Sequence, residues 1–182
     1  MKLLEFFRNE KPNAHGKMFI EIISYNDDQF EKNHNFIQWM FPTDKRSKFN
    51  WRAQILTAQD VADINSDSLA MEYIRIGTKR FLNFLGYELD GLKIQKSENH
   101  LSRTKMWVTK NNHNYKRISR FLRFGKMMGG DLYYVGQHFL LPPLVKLREE
   151  NREKTVSRFL AIRDFHLFHS GLGVWSLDRF PS

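Results

Sequence analysis

The chain has 182 residues, 41% hydrophobic and 27% charged, with a formal net charge of +9 and no cysteine. That excludes a disulfide framework, cysteine-ligated zinc and a thiol nucleophile, and the length suits one domain burying roughly 70% of the surface its unfolded chain exposes. No run reaches the ~18 apolar residues of a membrane span, and Lys2-Leu3-Leu4-Glu5 lacks the apolar core of a signal peptide.

Taken in chain order, residues 10–18 read as irregular. Met18 to Ile23 is an apolar run that suits helix better than strand. Residues 33–42 suit a short capped helix: Asn33 or Asn35 can accept a hydrogen bond from a free amide. Phe36, Ile37, Met40 and Phe41 supply an apolar stripe, Trp39 lies off it, and Pro42 ends it. After a second irregular stretch at 42–56, Thr57 caps a helix over 58–64 with Asp60 in its first turn. Residues 67–85 form the clearest amphipathic helix, with Ser66 as N-cap, Gly86 as C-cap, and Leu69, Tyr73, Ile74, Gly77, Phe81, Phe84 and Leu85 on one face. Another covers 114–128, ended by Gly129-Gly130. Ile118, Phe121 and Leu122 point one way; Lys116, Arg117, Arg120 and Arg123 point the other. Residues 131–149 read as a helix kinked or divided at Pro142-Pro143, and 152–169 as the last helix. Strand signals are weak, so the expected fold is all-α, a compact multi-helix single domain.

The run Asn33-His34-Asn35-Phe36-Ile37-Gln38-Trp39-Met40-Phe41-Pro42 resembles the Asn-His-x-x-Ile-Gln-Trp-Leu-Phe-Pro signature of the opioid growth factor receptor conserved domain, with Met40 at the Leu position. Further segments match in order: Phe7-Arg8-Asn9, Gly16, Ile20 to Ile23, Asn50-Trp51-Arg52-Ala53, and His113-Asn114 followed by Arg117 to Leu122. The likeness spans about residues 6–168. It implies a short member carrying only this domain, without the long acidic, repeat-bearing tails of the animal proteins. Those are described as receptors for met-enkephalin acting in growth regulation around the nucleus. The resemblance carries over no catalytic or ligand residue. It implies a non-enzymatic, receptor-like or regulatory binding domain, cytoplasmic, or nuclear to perinuclear in a eukaryote, whose partner is an unidentified protein or peptide.

The residues themselves put a candidate surface where three segments converge: His34, Gln38 and Trp39; Asn50 and Trp51; and His113, Asn114, Arg117 and Arg120. For the signature run, burial as a plain helix is the competing reading. A second functional reading is nucleic acid or another polyanion on the basic stretch 103–126, through Arg103, Lys105, Lys110, Lys116, Arg117, Arg120, Arg123 and Lys126, since an excess of cations favours anionic partners. A solvated face, or structural roles for Arg117 and Arg120, explains the same residues. Third comes an uncharacterised enzyme, for which no motif speaks. Gly125 to Gly130 lacks a Gly-Lys-Ser/Thr ending, and no Gly-x-Ser-x-Gly elbow occurs. His166 and His169 share a helix face at a spacing of three, where zinc pairs favour four. No cofactor and no metal are expected.

Overall fold

The computed structural model describes residues 2–48, 50–90 and 93–129. The expected helices at 131–149 and 152–169, and with them His166 and His169, lie outside the described residues. Those described form a predominantly helical fold. In order they are α1 (Leu3–Phe7), α2 (Phe19–Ile23), α3 (Asp27–Lys32), α4 (Ile37–Met40), α5 (Ala58–Asn65) and α6 (Ser68–Phe84). A hairpin of β1 (Tyr87–Asp90) and β2 (Lys93–Lys96) follows, then α7 (His100–Trp107) and α8 (Asn114–Met128).

Local chemistry sets most of the boundaries. Asn26 and Gln29 cap α3 reciprocally, each side chain accepting from the other's backbone N–H at 2.9 Å. Thr57 and Asp60 do the same for α5, at 3.1 and 2.9 Å. The cap of α6 is Asp67, whose Oδ1 accepts from Ala70 N at 2.8 Å, and not Ser66. Ser66 instead closes α5, its hydroxyl donating to the Asp63 carbonyl. A carboxylate in that position also meets the positive end of the helix dipole, which a serine does less well. For α4 the expected asparagine cap is displaced. Asn33 Oδ1 accepts from Asn35 N, a turn before the helix, and Phe36 stands at its N-cap without a side-chain bond.

The helix α6 is the spine, packing against α1, α2, α5 and β1. Gly77 makes the α2 contact close: a Cβ there would stand 3.2 Å from both Phe19 and Ile23 side chains and 3.4 Å from Met40. Around this spine is an aromatic core. Phe6, Phe7 and Phe19 meet one another at 5.2–5.8 Å between ring centres. Phe41 meets Phe81, Phe121 and Phe124 at 5.3, 5.0 and 5.5 Å.

Beyond α6 the chain turns through Gly86 at φ +93°, where a Cβ would also stand 2.9 Å from Arg103 Cβ and 3.1 Å from the His100 backbone, so only glycine fits. The hairpin that follows pairs Tyr87 with Lys96 and Asp90 with Lys93. It is a small two-stranded addition to the predominantly helical fold that the sequence leads one to expect. Its signal was in the sequence: Asp90-Gly91, a hairpin dipeptide, flanked by the alternation Tyr87-Glu88-Leu89-Asp90. The free carbonyls at the end of α6 are then met from α7. His100 Nδ1 lies 2.9 Å from Gly86 O, Arg103 Nε donates to Phe84 O at 2.7 Å, and Trp107 Nε1 donates to Leu85 O at 2.9 Å. No helix among the described residues is long and apolar enough to cross a membrane.

Candidate functional site

Of the nine candidate residues, His34, His113, Asn114 and Arg117 gather in one knot, Asn50 and Trp51 lie on a loop with Gln38 linked to it through Ser47, and Trp39 and Arg120 pack elsewhere against the core. At the knot is Arg117, from the first turn of α8, only 4% exposed. Its sequence position explains the burial. It precedes Phe121 by four residues and Phe124 by seven, and so belongs to their stripe and not to the solvent face on which the sequence reading put it. Arg117 Nη1 donates to Asn114 Oδ1 at 2.8 Å, and Nη2 donates to the Glu31 and Asn33 carbonyls at 3.2 and 3.1 Å. The guanidinium lies 5.0 Å from the Phe36 ring centre, and Nη1 is 3.9 Å from the Glu31 carboxylate. Burial pushes the Arg117 pKa down to about 10, Glu31 opposing the fall, so the side chain remains a cation at neutral pH. Arg117 thus ties off the free carbonyls at the C-terminal end of α3 and holds the signature run against α8.

His113 and Asn114 complete the knot. Asn114, 1% exposed, donates through Nδ2 to Glu31 Oε2 at 3.2 Å. His113 Nε2 stands 3.0 Å from Glu31 Oε1, outside hydrogen-bond alignment, and its ring meets that of the exposed His34 edge-on at 5.4 Å. Burial lowers the His113 pKa below its ordinary value. The Arg117 charge adds to the fall, Glu31 opposes it, and His34 adds slightly. The unfolded chain therefore takes up this proton first on acidification. Folding stability should fall as pH drops through about 6.5, the loss being complete below the folded pKa. In urea titrations from pH 8 to 5, His113→Asn should flatten this slope relative to the parent chain. Parallel slopes would assign the acid sensitivity to other groups.

Gln38 is buried, and its amide nitrogen faces the Asn35 and His34 carbonyls at 3.1 and 3.3 Å, with Ser47 Oγ 3.5 Å away on the other side. Ser47 Oγ in turn accepts from Asn50 N at 3.1 Å. Trp39, 2% exposed, packs on Phe6 at 6.0 Å and on the His15 ring at 5.8 Å. Asn50, 5% exposed, holds its Oδ1 3.5 Å from His15 Nε2. Trp51, its neighbour, is 68% exposed. Two buried donors, Trp39 Nε1 and Asn50 Nδ2, meet no acceptor among the described residues. Sequence reading missed His15. Nothing in its own segment marks it, and only the folding of loop 10–18 over Trp39 brings it in.

Much of the basic stretch 103–126 serves the fold. Arg103 caps α6 and stacks 4.6 Å from the Phe84 ring centre. Arg120 donates to Phe41 O at 2.8 Å, and burial, aided by Arg123, pushes its pKa down to about 10. Arg123 grips Asp44 through two bonds of 2.6 Å, which hold the Asp44 carboxyl below its usual range. Lys105, Lys110, Lys116 and Lys126 are exposed. Among the described residues no three His, Asp or Glu side chains are placed to hold a metal ion.

The model of the opioid growth factor receptor conserved region matches residues 1–161. The chain belongs to this family. Among its curated relatives, the opioid growth factor receptor-like protein 1 of Mus musculus is 28% identical over 165 residues, covering 84% of this chain and 33% of its own. The opioid growth factor receptor of Homo sapiens is 31% identical over 127 residues, covering 66% of this chain and 18% of its own. That of Rattus norvegicus is 30% identical over 129 residues, covering 66% and 22%. The chain thus spans about a third or less of these relatives, and no solved structure matches it. Within the opioid growth factor receptor family region lie both the Arg117 knot and the Trp51 loop.

Proposed function

We propose that this chain is a non-enzymatic binding domain with a receptor-like, regulatory role; its relatives are named as a receptor and a receptor-like protein. We place it in the cytoplasm or about the nucleus, and its partner is a macromolecule rather than a small metabolite. Its partner-facing surface is the loop carrying Trp51, and the Arg117 knot is the scaffold beneath. One observation carries this reading: Trp51 is 68% exposed, whereas the other described indoles, Trp39 and Trp107, are 2% and 1% exposed. Exposed tryptophans are enriched where proteins bind, because a rigid ring gives large contact area at small entropy cost.

Capture of partners from the source organism by the tagged chain tests this. Trp51→Ala should abolish the specific partner band and leave the urea midpoint unchanged, since the ring is in solvent. Trp39, which is buried, and Arg120, which is half-buried and bonded to Phe41 O, are unsuitable as surface variants and serve as folding controls. Undiminished capture by Trp51→Ala would overturn the assignment. The basic stretch 103–126 is less favoured as the surface, because four of its arginines are committed to carbonyls and carboxylates of the fold.

A further inference from the structure

Resting on that assignment of the Trp51 loop, we infer that the loop takes single-stranded nucleic acid, with Trp51 stacking on an unpaired base and Lys45, Arg46, Lys48 and Arg52 meeting phosphates. Residues 45–52 carry four cations, and residues 42–59 hold one acidic residue, Asp44. Asp44 is already neutralised by Arg123. Each of the four side chains belongs to an exposed residue, and none enters an ion pair among the described residues. For the two arginines, Arg46 and Arg52, that is unusual among the described residues. Of the other described arginines, Arg8, Arg75, Arg80, Arg103, Arg117 and Arg123 each face a carboxylate, and Arg120 a carbonyl.

The loop is also held ready. Leu56 N donates to Thr43 O at 3.0 Å across its base, Asn50 N donates to Ser47 Oγ, and Arg46 Nη1 donates to Trp51 O at 3.0 Å. The Arg52 guanidinium stands 5.2 Å from the Trp51 ring centre, so charge and ring form one platform. An exposed ring among cations is how sequence-tolerant single-strand binders work: each base has a stacking face, and phosphates supply the salt-dependent part. A duplex hides its base faces, and so offers this ring less. A membrane surface is the competing occupant of an exposed ring among cations, and the vesicle arm of the test below separates the two.

Fluorescence anisotropy with a short labelled oligothymidylate tests the inference. Four phosphate contacts on a single strand give a log–log salt slope of about −3, so affinity should fall about fifty-fold between 50 and 200 mM salt. Trp51→Ala should weaken binding about tenfold or more with the slope unchanged. Lys45→Ala/Lys48→Ala should roughly halve the slope. Circular dichroism should show all variants folded, since these side chains are in solvent. No binding at 50 mM salt, equal affinity for a duplex, or indifference to Trp51→Ala would overturn the inference. Binding to phosphatidylserine vesicles without oligonucleotide binding would also overturn it, in favour of a membrane surface. If neither binds while protein capture still depends on Trp51, the nucleic-acid inference fails and the proposed partner surface stands.

Discussion

Replacing Phe41 with alanine is expected to cost the fold about 4 kcal/mol, within the range for removing a buried phenyl ring. Phe41 is 1% exposed and sits where the signature run, α6 and α8 meet, its ring touching Phe81, Phe121 and Phe124. Its backbone carbonyl still accepts from Arg120 in the variant, so the loss isolates the ring. A domain of ordinary stability has roughly 5–15 kcal/mol in hand, and this substitution removes a large share of it. Urea unfolding followed by far-ultraviolet circular dichroism measures the change. Phe41→Leu, which keeps most of the volume, should recover more than half. A loss below about 1 kcal/mol for the alanine would mean that the ring cluster does not hold the two helices together.

Arg117→Met should cost about 3 kcal/mol, the lower end for breaking a buried ion pair, because Glu31 is partly solvated. Methionine replaces the packing on Phe36 and none of the polar work. It leaves the Glu31 and Asn33 carbonyls without their donor, and Asn114 Oδ1 without its own. Arg117→Lys keeps the charge, but one ammonium cannot reach Asn114 and both carbonyls in that planar geometry, so it should recover little. A double-mutant cycle with Glu31→Gln separates the charge from the carbonyl bonds. If the carbonyl bonds dominate, the coupling energy will be small beside the cost of Arg117→Met alone. If Arg117→Met is as stable as the parent chain, the knot does not hold α3 to α8.

The helices were legible wherever their ends are made by near neighbours. Thr57 and Asp60, three residues apart, define α5, and the apolar stripe of 114–128 gives α8 its length. Asp67 could have been recognised in place of Ser66, since the dipole at an N-terminus favours the carboxylate. The stripe through Phe121 and Phe124 likewise contained Arg117, but a charged residue on an apolar stripe reads as solvent-facing until its partners are known. Those partners, Glu31 and Asn33, lie more than eighty residues away.

The sequence by itself determined a mainly helical chain, the family it belongs to, and the signature run as an apolar, proline-ended segment. The helices and the apolar stripe rest on patterns within a few turns of chain, and the family on matching segments along it. Tertiary structure alone decided which cations are spent on the fold and which face solvent. Arg117 and Trp51 look equally chemical in the sequence, but one is 4% exposed and the other 68%. Burial depends on what the rest of the chain places over a residue, and no local pattern around residue 51 or 117 records that.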